Sequence, residues 1–204
     1  MTSKFFFRAA AVGVLTLAAG LTSAQAATLA ADGSWTEFLV NADVSPANSL
    51  DWLVSYNDTS LAHFSFTIAA GTTGTLTVVD TGISGDRFVV KNFSAALGET
   101  SVGVDGDPLL EDSSIADFNS ALANPNFSRG VYTLEAGSYD ISGYLSRSVQ
   151  LDGSPLNVST GGLQLTVSAV PEPTTLASLL AGLSLLSLAV RRKASKNSQS
   201  SNKS

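Results

Sequence analysis

Residues 63–68, His-Phe-Ser-Phe-Thr-Ile, are the stretch that decides the fold. Phe64, Phe66 and Ile68 alternate with polar residues, which is the two-residue period of a strand with one buried face. The same period returns further along the chain, at residues 75–78, 131–134, 139–145 and 163–167. Several short alternating runs predict an all-β protein. We expect a single antiparallel β-sandwich, jelly-roll-like, with roughly eight strands.

Less regular stretches complete this prediction. Further strands are predicted at 34–40, 50–54, 88–90 and 97–104, with turns at 71–74 and 81–85. One helix is predicted at 114–123, because Ser114 and Asp117 have the Ser-x-x-Asp form of a helix start. Ile115, Phe118 and Leu122 would then share one face of an amphipathic helix or lid.

Several short segments together resemble a β-domain that recurs in secreted microbial and fungal surface proteins. The segments are residues 76–80, 85–90, 98–101, 128–130 and 136–139. The resemblance covers about residues 64–142. It implies an extracellular β-fold and carries almost no information about chemistry.

The C-terminal region is apolar and then basic. The seventeen residues from Thr174 to Val190 contain no charge and no proline. As a helix they would be about 26 Å long, slightly less than the hydrocarbon core of a bilayer at about 30 Å. This predicts a transmembrane helix at 174–190. The basic cluster 191–193 that follows predicts a cytoplasmic C-terminal end, with everything before Pro171 outside.

The same region resembles the PEP-CTERM sorting signal of exported bacterial proteins. The residues that carry the resemblance are the motif Val170, Pro171, Glu172 and Pro173, the apolar stretch 174–190, and the basic residues Arg191, Arg192 and Lys193. The resemblance implies an exosortase as partner, transient anchoring in the inner membrane, cleavage near Pro-Glu-Pro, and transfer to the cell surface or exopolysaccharide. The polar tail 194–204 departs from the usual basic ending. An ordinary membrane anchor that is never cut is the alternative.

The N-terminus predicts export. Lys4 and Arg8 precede an apolar run, and Ala24-Gln25-Ala26 fits the small-x-small pattern of signal-peptide cleavage. Residues 1–26 are therefore predicted to be a signal peptide, with Ala27 as the first mature residue. The remaining chain divides into a β-sandwich domain, 27–168, and the sorting signal, 169–204.

The charge of the predicted mature domain excludes one class of partner. Residues 27–170 contain sixteen acidic and four basic side chains, for a formal charge of −12. Such a surface repels phosphate backbones, so nucleic-acid binding is not expected. The chain has no cysteine, so no disulfide framework is expected either.

The single histidine, His63, does not suggest catalysis. It lies on the polar side of the predicted strand at 63–68, and no Gly-x-Ser-x-Gly elbow accompanies it. A histidine-based zinc site would need further His or Cys ligands, which the chain does not supply. We therefore expect His63 to be an exposed strand residue.

Carboxylates offer two candidate clusters. Asp105, Asp107, Glu111 and Asp112 crowd one loop and could supply oxygen ligands to calcium, but the EF-hand spacing is absent, so a solvated acidic loop is the preferred interpretation. Asp80 and Asp86 flank two glycines, and we expect them to bond backbone N–H groups within turns. Arg87 or Arg129 would be their partners.

Five aromatic residues raise a second functional hypothesis. Trp35, Trp52, Tyr132, Tyr139 and Tyr144 could form a face on which sugars stack, although aromatics at such spacings are more often core. The sequence therefore predicts a non-enzymatic surface or matrix protein with no catalytic residue, no metal site and no cofactor. The alternative is a carbohydrate-binding module, with calcium assistance as one option.

Overall fold

Two β-sheets enclose one apolar core in the computed structural model, which describes residues 27–107, 109–110, 114–170 and 178–186. The strands are β1 Ala27–Thr28, β2 Asp32–Asn41, β3 Phe64–Ile68, β4 Thr72–Ile83, β5 Arg87–Asn92, β6 Ala95–Glu99, β7 Ser114–Ile115, β8 Arg129–Leu134, β9 Gly137–Arg147, β10 Gln150–Leu151, β11 Ser154–Pro155 and β12 Val158–Ala169. Between them lie a 3-10 turn, Pro46–Asn48, and helix α1, Phe118–Ala123. The predicted all-β sandwich is confirmed.

The strand order explains how the two sheets form. The first sheet runs β1-β3-β9-β5-β6, and the second runs β2-β12-β4-β7, with β8 also paired to β4. All pairs are antiparallel except β1 with β3. Among the eight long strands, most connections switch sheets, and β2 and β12, the first and the last, are neighbours. This order fits the jelly-roll-like arrangement that the sequence predicts.

The alternation in β3 sets the core, as the sequence predicts. Phe64, Phe66 and Ile68 are buried, and Phe64 lies opposite Ile141 of β9. Phe38, Trp52 and Phe88 form the aromatic centre. Phe38 stacks on Trp52 with 3.9 Å between ring centroids, and Phe88 meets both rings edge-on. A core this aromatic holds the two sheets together by apolar burial.

The predicted helix at 114–123 is shorter than expected. Ser114–Ile115 form β7, and α1 begins at Phe118. Its N-cap is Asp117, whose side chain accepts a hydrogen bond from the Ser120 N–H at 2.8 Å. The Ser-x-x-Asp pattern was therefore misassigned: Asp117 itself caps the helix. The predicted apolar face is correct, because Phe118 and Leu122 pack against a small cluster on the outer side of the second sheet.

Two predicted strands are instead connections between the sheets. In residues 50–54, Leu53 forms an isolated bridge to β2 in the second sheet, and Asp51 forms one to β9 in the first. The segment therefore forms a full strand in neither sheet. The prediction for 97–104 is wrong after Glu99, where β6 ends. There Thr100 N–H donates to a carbonyl of β5 and Ser101 N–H to a carbonyl of β8, so the chain crosses between sheets.

The predicted turns on either side of β4 are shorter than expected. The strand already begins at Thr72, and Gly71 takes the left-handed conformation of the preceding turn, with φ of 77°. At the other end β4 continues to Ile83, because it pairs with β12 and β7 there. The turn itself is confined to Ser84 and Gly85. This extension places Asp80 within a strand rather than in a turn.

The C-terminal segment is described only in part. Residues 178–186, within the predicted transmembrane stretch, are helical and exposed. In the part of the chain that the structure describes, no helix is both long enough and apolar enough to cross a bilayer. Predictions for residues 1–26, 171–177 and 187–204 lie outside the described residues.

Candidate functional site

The sorting segment begins where the sandwich ends. β12 ends at Ala169, and the N–H of Val170 donates to the carbonyl of Gly71 at 2.8 Å. Val170, the first residue of the motif, is therefore hydrogen-bonded to the residue that precedes β4. Pro171, Glu172 and Pro173, the basic residues Arg191, Arg192 and Lys193, and the cleavage residues Ala24 and Ala26 lie outside the described residues. Ala27, the predicted first mature residue, begins β1.

The described part of the apolar stretch carries a dense set of exposed leucines. Leu179, Leu180, Leu183, Leu185 and Leu186 are each more than half exposed. Large apolar side chains in such number on one short exposed helix mark a surface that binds an apolar partner. A bilayer is the partner that the sequence predicts.

A cleft of about 290 Å³ lies beside β3, β5 and β9. Its polar lining includes Asp51, His63 and Lys91. Lys91 Nζ lies 3.8 Å from Asp51 Oδ1 and 5.2 Å from the ring centroid of Tyr144. The cleft is therefore lined by a cation and a carboxylate, and the cation also lies over an aromatic ring next to the cleft.

His63 at this cleft is half-buried rather than exposed. Its Nδ1 lies 3.1 Å from both carboxylate oxygens of Asp140 on β9. Among the described residues, no serine or threonine hydroxyl hydrogen-bonds to His63. The imidazole is thus held by a carboxylate at the cleft wall.

Phe93 at the edge of the same cleft has an unusual conformation. It occupies the turn between β5 and β6 with φ of 53°, and its side chain is 60% exposed. Its N–H donates to the carbonyl of Asp140 at 2.8 Å, which helps to hold this backbone geometry. A bulky residue in the left-handed region is uncommon and costs on the order of 1 kcal/mol. Such strain at an exposed aromatic favours a binding role.

The five aromatic residues singled out from the sequence do not form a continuous exposed face. Trp52 is in the core, and Trp35 stacks on Phe118 of α1. Tyr132 and Tyr139 are half-buried and pack against the core. Tyr144, at 37% exposure, is the most exposed of the five.

The described carboxylates of the acidic loop, Asp105 and Asp107, accept hydrogen bonds from other groups of the protein. Both oxygens of Asp105 accept hydrogen bonds from Arg147, at 2.8 and 2.7 Å, and Asp107 accepts from the Leu109 N–H. The hydrogen bonds from Arg147 lower the pKa of Asp105. Glu111 and Asp112 lie outside the described residues. No three His, Cys, Asp or Glu side chains converge within the described ranges.

The sequence predicted that Asp80 and Asp86 bond backbone N–H groups within turns, but Asp80 lies within β4 and both side chains are buried. Asp80 is fully buried and Asp86 is 1% exposed. Neither oxygen of Asp80 has a hydrogen-bond partner in the described structure, whereas Asp86 Oδ1 accepts from the Val149 N–H at 2.6 Å. The pair therefore places two carboxylates in the interior, at the end of the sandwich where β4 turns into β5.

Burial is the largest influence on the pKa of both carboxylates. Burial, followed by the Asp86 carboxylate, raises the pKa of Asp80 well above its usual range. Nearby backbone N–H groups outside hydrogen-bonding geometry offset only part of the rise. Burial also raises the pKa of Asp86 to about 6, against the lowering effect of the Ser159 hydroxyl and the Val149 N–H. Both groups are thus poorly stabilised as bare anions.

The arginines expected beside this pair lie elsewhere. Arg87 forms an ion pair with Glu99 at 2.6 Å, and Arg129 donates to the carbonyls of Leu122 and Asn124 behind α1. The arginine that lowers the pKa of Asp86 is Arg147, whose guanidinium is already hydrogen-bonded to Asp105 and the Gly85 carbonyl. Sequence reasoning missed Arg147 and Phe93, and neither has a sequence signal that would have marked it.

Among known proteins and families, the informative similarity lies in the sorting segment. No curated protein matches the chain. A solved structure with some similarity is the pre-peptidase C-terminal domain of collagenase from Bacillus anthracis, with 12% identity and a TM-score of 0.33, over 70% of this chain and 95% of that one. Residues 169–193 match the family described as the PEP-CTERM protein-sorting motif. The recognition made from the sequence is confirmed: the chain carries a PEP-CTERM sorting signal, which implies an exported protein that an exosortase processes.

Proposed function

We propose that this protein is a non-enzymatic component of the cell surface or extracellular matrix, held in the inner membrane by residues 174–190 until an exosortase cuts near Pro171–Pro173. The observation that carries this proposal is the sorting-motif match at 169–193. The exposed leucines of 178–186 support it, because they are free to meet lipid rather than packed in the sandwich. The folded domain then faces the outside of the cell.

The two ends of the chain support this orientation. The signal peptide predicted at 1–26 would take the chain across the membrane, and the basic cluster 191–193 would remain on the cytoplasmic side. The domain between them has a formal charge of −12 over residues 27–170. Such a charge keeps a protein soluble outside the cell and disfavours binding to polyanions.

Mass spectrometry of the C-terminus tests the proposal. The protein would be purified from cells with an active exosortase and from cells without it, and its C-terminal residue determined in each. We expect a new C-terminus near residues 171–173 in the first cells and the uncut chain, in the membrane fraction, in the second. An uncut chain in both would contradict processing.

Charge substitution separates membrane insertion from cleavage. Leu183→Arg replaces an exposed leucine by a cation at the middle of the segment, which costs about 3 kcal/mol of insertion free energy. We expect it to shift uncut protein from the membrane to the soluble fraction in cells without exosortase. Ser198→Arg, in the polar tail, is the matched control and should leave the membrane fraction unchanged. If Leu183→Arg behaved like this control, residues 174–190 would not be the anchor.

We also propose a second function, carbohydrate binding at the cleft beside Phe93. The specific observation is the exposed aromatic side chain in a left-handed turn, next to the Lys91 and Asp51 ion pair and the half-buried His63. An apolar ring with adjacent polar groups is what a sugar ring, with its apolar faces and hydroxyl edges, requires. Exopolysaccharide is the natural class of ligand for a protein sorted to the surface.

Glycan binding tests this second function. The purified full chain would be screened on a glycan array and against exopolysaccharide from the producing cells, with and without a chelator. We expect binding that Phe93→Ala weakens at least about tenfold. Val131→Ala, an exposed apolar residue on β8 of the other sheet, is the control and should bind like the parent. Equal glycan binding by Phe93→Ala and Val131→Ala would show that the cleft is not the binding site.

A further inference from the structure

The interior end of the sandwich contains a polar cluster that neither the sorting role nor the cleft uses. Leu76 and Val78 of β4 point into the core, and Asp80 follows them with the same two-residue period. Its carboxylate therefore enters the interior, close enough to the buried Asp86 for the two charges to repel. The Ser159 hydroxyl acts on Asp86, and further buried hydroxyl side chains, Ser84, Thr100, Ser128 and Ser148, lie in segments next to these strands.

Asp80 itself indicates that a ligand is needed. Its side chain is fully buried, and both of its oxygens lack a hydrogen-bond partner in the described structure. Buried polar groups are nearly always satisfied, and a buried carboxylate with no partner is strongly unfavourable. A second buried carboxylate beside it, Asp86, makes a bare pair worse by repulsion. The one nearby cation among the described residues, Arg147, is committed to Asp105 and the Gly85 carbonyl.

The turn at Ser84 and Gly85, just before Asp86, is held in place by the loop that contains Val104 and Gly106. Ser84 Oγ donates to the Val104 carbonyl at 2.9 Å, and the Gly106 N–H donates to the Ser84 carbonyl at 2.8 Å. Gly85 has φ of 122°, and a Cβ there would lie 2.6 Å from Asp105 Oδ1. The turn and the loop are thus interlocked, so the two carboxylates cannot easily swing apart. Two carboxylates held close together in this way are better suited to binding one cation than to being hydrated separately.

We propose that Asp80 and Asp86 bind a divalent cation at the buried end of the sandwich, and that the ion is Ca²⁺. The two carboxylates supply the charge that a divalent ion neutralises. Hydroxyl groups, backbone carbonyls and water supply the other oxygens, because no third acidic side chain converges here in the described residues. Oxygen-only surroundings select hard cations, and Ca²⁺ accepts irregular sets of carboxylate, carbonyl and water ligands more readily than Mg²⁺ does. This proposal does not depend on the sorting role.

Calcium titration of the full chain, purified in mild detergent and stripped with a chelator, tests the proposal. We expect calorimetry to show about one Ca²⁺ per chain, and the thermal midpoint of unfolding to rise by several degrees as Ca²⁺ is added. Mg²⁺ should bind at least about tenfold more weakly. No binding and no shift at about 10 mM Ca²⁺, well above the dissociation constants of extracellular calcium modules, would overturn the proposal.

Two variants locate the site. Asp80→Asn keeps the shape of the side chain and removes one charge, so we expect it to lose the calcium response at least about tenfold. In chelator it should unfold at the same temperature as the parent or higher, because the repulsion is gone. Asp107→Asn, in the exposed acidic loop, is the control and should keep the full response. A response that survives Asp80→Asn, or that disappears in Asp107→Asn, would overturn the assignment to the interior pair. If Asp80→Asn does not fold, the parent titration and Asp86→Asn decide by the same criteria.

Discussion

Gly143→Ala is the substitution whose effect on the fold can be worked out most directly. Gly143 lies in β9 between two core residues, Ile141 and Leu145, and Trp52 covers it. A Cβ at this position would lie 2.5 Å from Trp52 Cε2 and Cζ2 and 2.7 Å from the Val89 carbonyl oxygen. These distances are far below van der Waals contact, so either the indole or the strand must move.

Trp52 has little room to move. Phe38 stacks on its ring with 3.9 Å between ring centroids, and Phe88 packs against it at an interplanar angle of 78°. Its backbone N–H also donates to the Gly143 carbonyl at 2.9 Å, which fixes the two residues relative to each other. Overpacking of a close-packed core costs about 1–3 kcal/mol, and a site whose neighbouring ring is held by two other rings belongs at the upper end. We expect Gly143→Ala to lower the free energy of unfolding by about 3 kcal/mol.

Urea denaturation of the full chain, followed by tryptophan fluorescence, measures this cost. Gly137→Ala is the matched control: it lies in the same strand with ordinary φ, and its Cβ would come no closer than 3.8 Å to another residue, the Tyr139 ring. It should change the free energy of unfolding by less than about 0.5 kcal/mol. The double variant Gly143→Ala with Trp52→Phe should lose less than the sum of its single variants, because the smaller ring relieves the clash. Equal losses for Gly143→Ala and Gly137→Ala would refute the reasoning.

Three further substitutions test single contacts. Asp117→Ala removes the N-cap of α1, so we expect a lower thermal midpoint, and an unchanged midpoint would show that the hydrogen bond to the Ser120 N–H contributes nothing. Tyr132→Phe deletes a buried hydroxyl that has no hydrogen-bond partner among the described residues, so urea denaturation should show an unchanged free energy of unfolding or a gain of about 1 kcal/mol. A clear loss would mean that the hydroxyl is hydrogen-bonded. Phe93→Gly should raise the free energy of unfolding by up to about 1 kcal/mol, because glycine adopts positive φ without strain. A lower free energy of unfolding would show that packing of the exposed ring stabilises the fold.

Local alternation predicted the core where a strand buries one face, as β3 does. The period at 63–68 places Phe64, Phe66 and Ile68 inward, and the pairing with β9 brings Ile141 opposite Phe64. The sequence pattern also gave the apolar face of α1, although not its first residue. These features depend on neighbours one to four residues away, so a single sequence contains the information.

Features that depend on distant contacts were not predictable in the same way. Residues 50–54 contain apolar side chains like a strand, yet they cross from one sheet to the other. Arg147 meets Asp105 across 42 positions of sequence, and nothing in the sequence near either residue indicates this pair. Phe93 occupies a turn position that normally favours glycine, so composition gives no sign of it.

The burial of Asp80 is an intermediate case. The two-residue period of the sequence indicates it, but neighbouring residues typical of turns pointed to a different interpretation. Leu76 and Val78 set the inward parity of β4, and Asp80 continues it. The following Thr-Gly pair at 81–82 suggested that the strand had ended. Pairing with β12 and β7 carries the strand on to Ile83, so the parity holds and the carboxylate is buried.

The position of the last strand explains how one chain can combine a stable domain with a removable signal. β12 lies between β2 and β4 and pairs with β4 as far as Ala169. Every backbone pairing described for this strand therefore lies before the motif, and Val170 adds one more hydrogen bond, to Gly71. A cut C-terminal to Val170 would remove no strand and no core residue described here. The sandwich should thus keep its stability after processing, because the described part of the sorting signal beyond Val170 contributes nothing to the contacts that hold the sheets together.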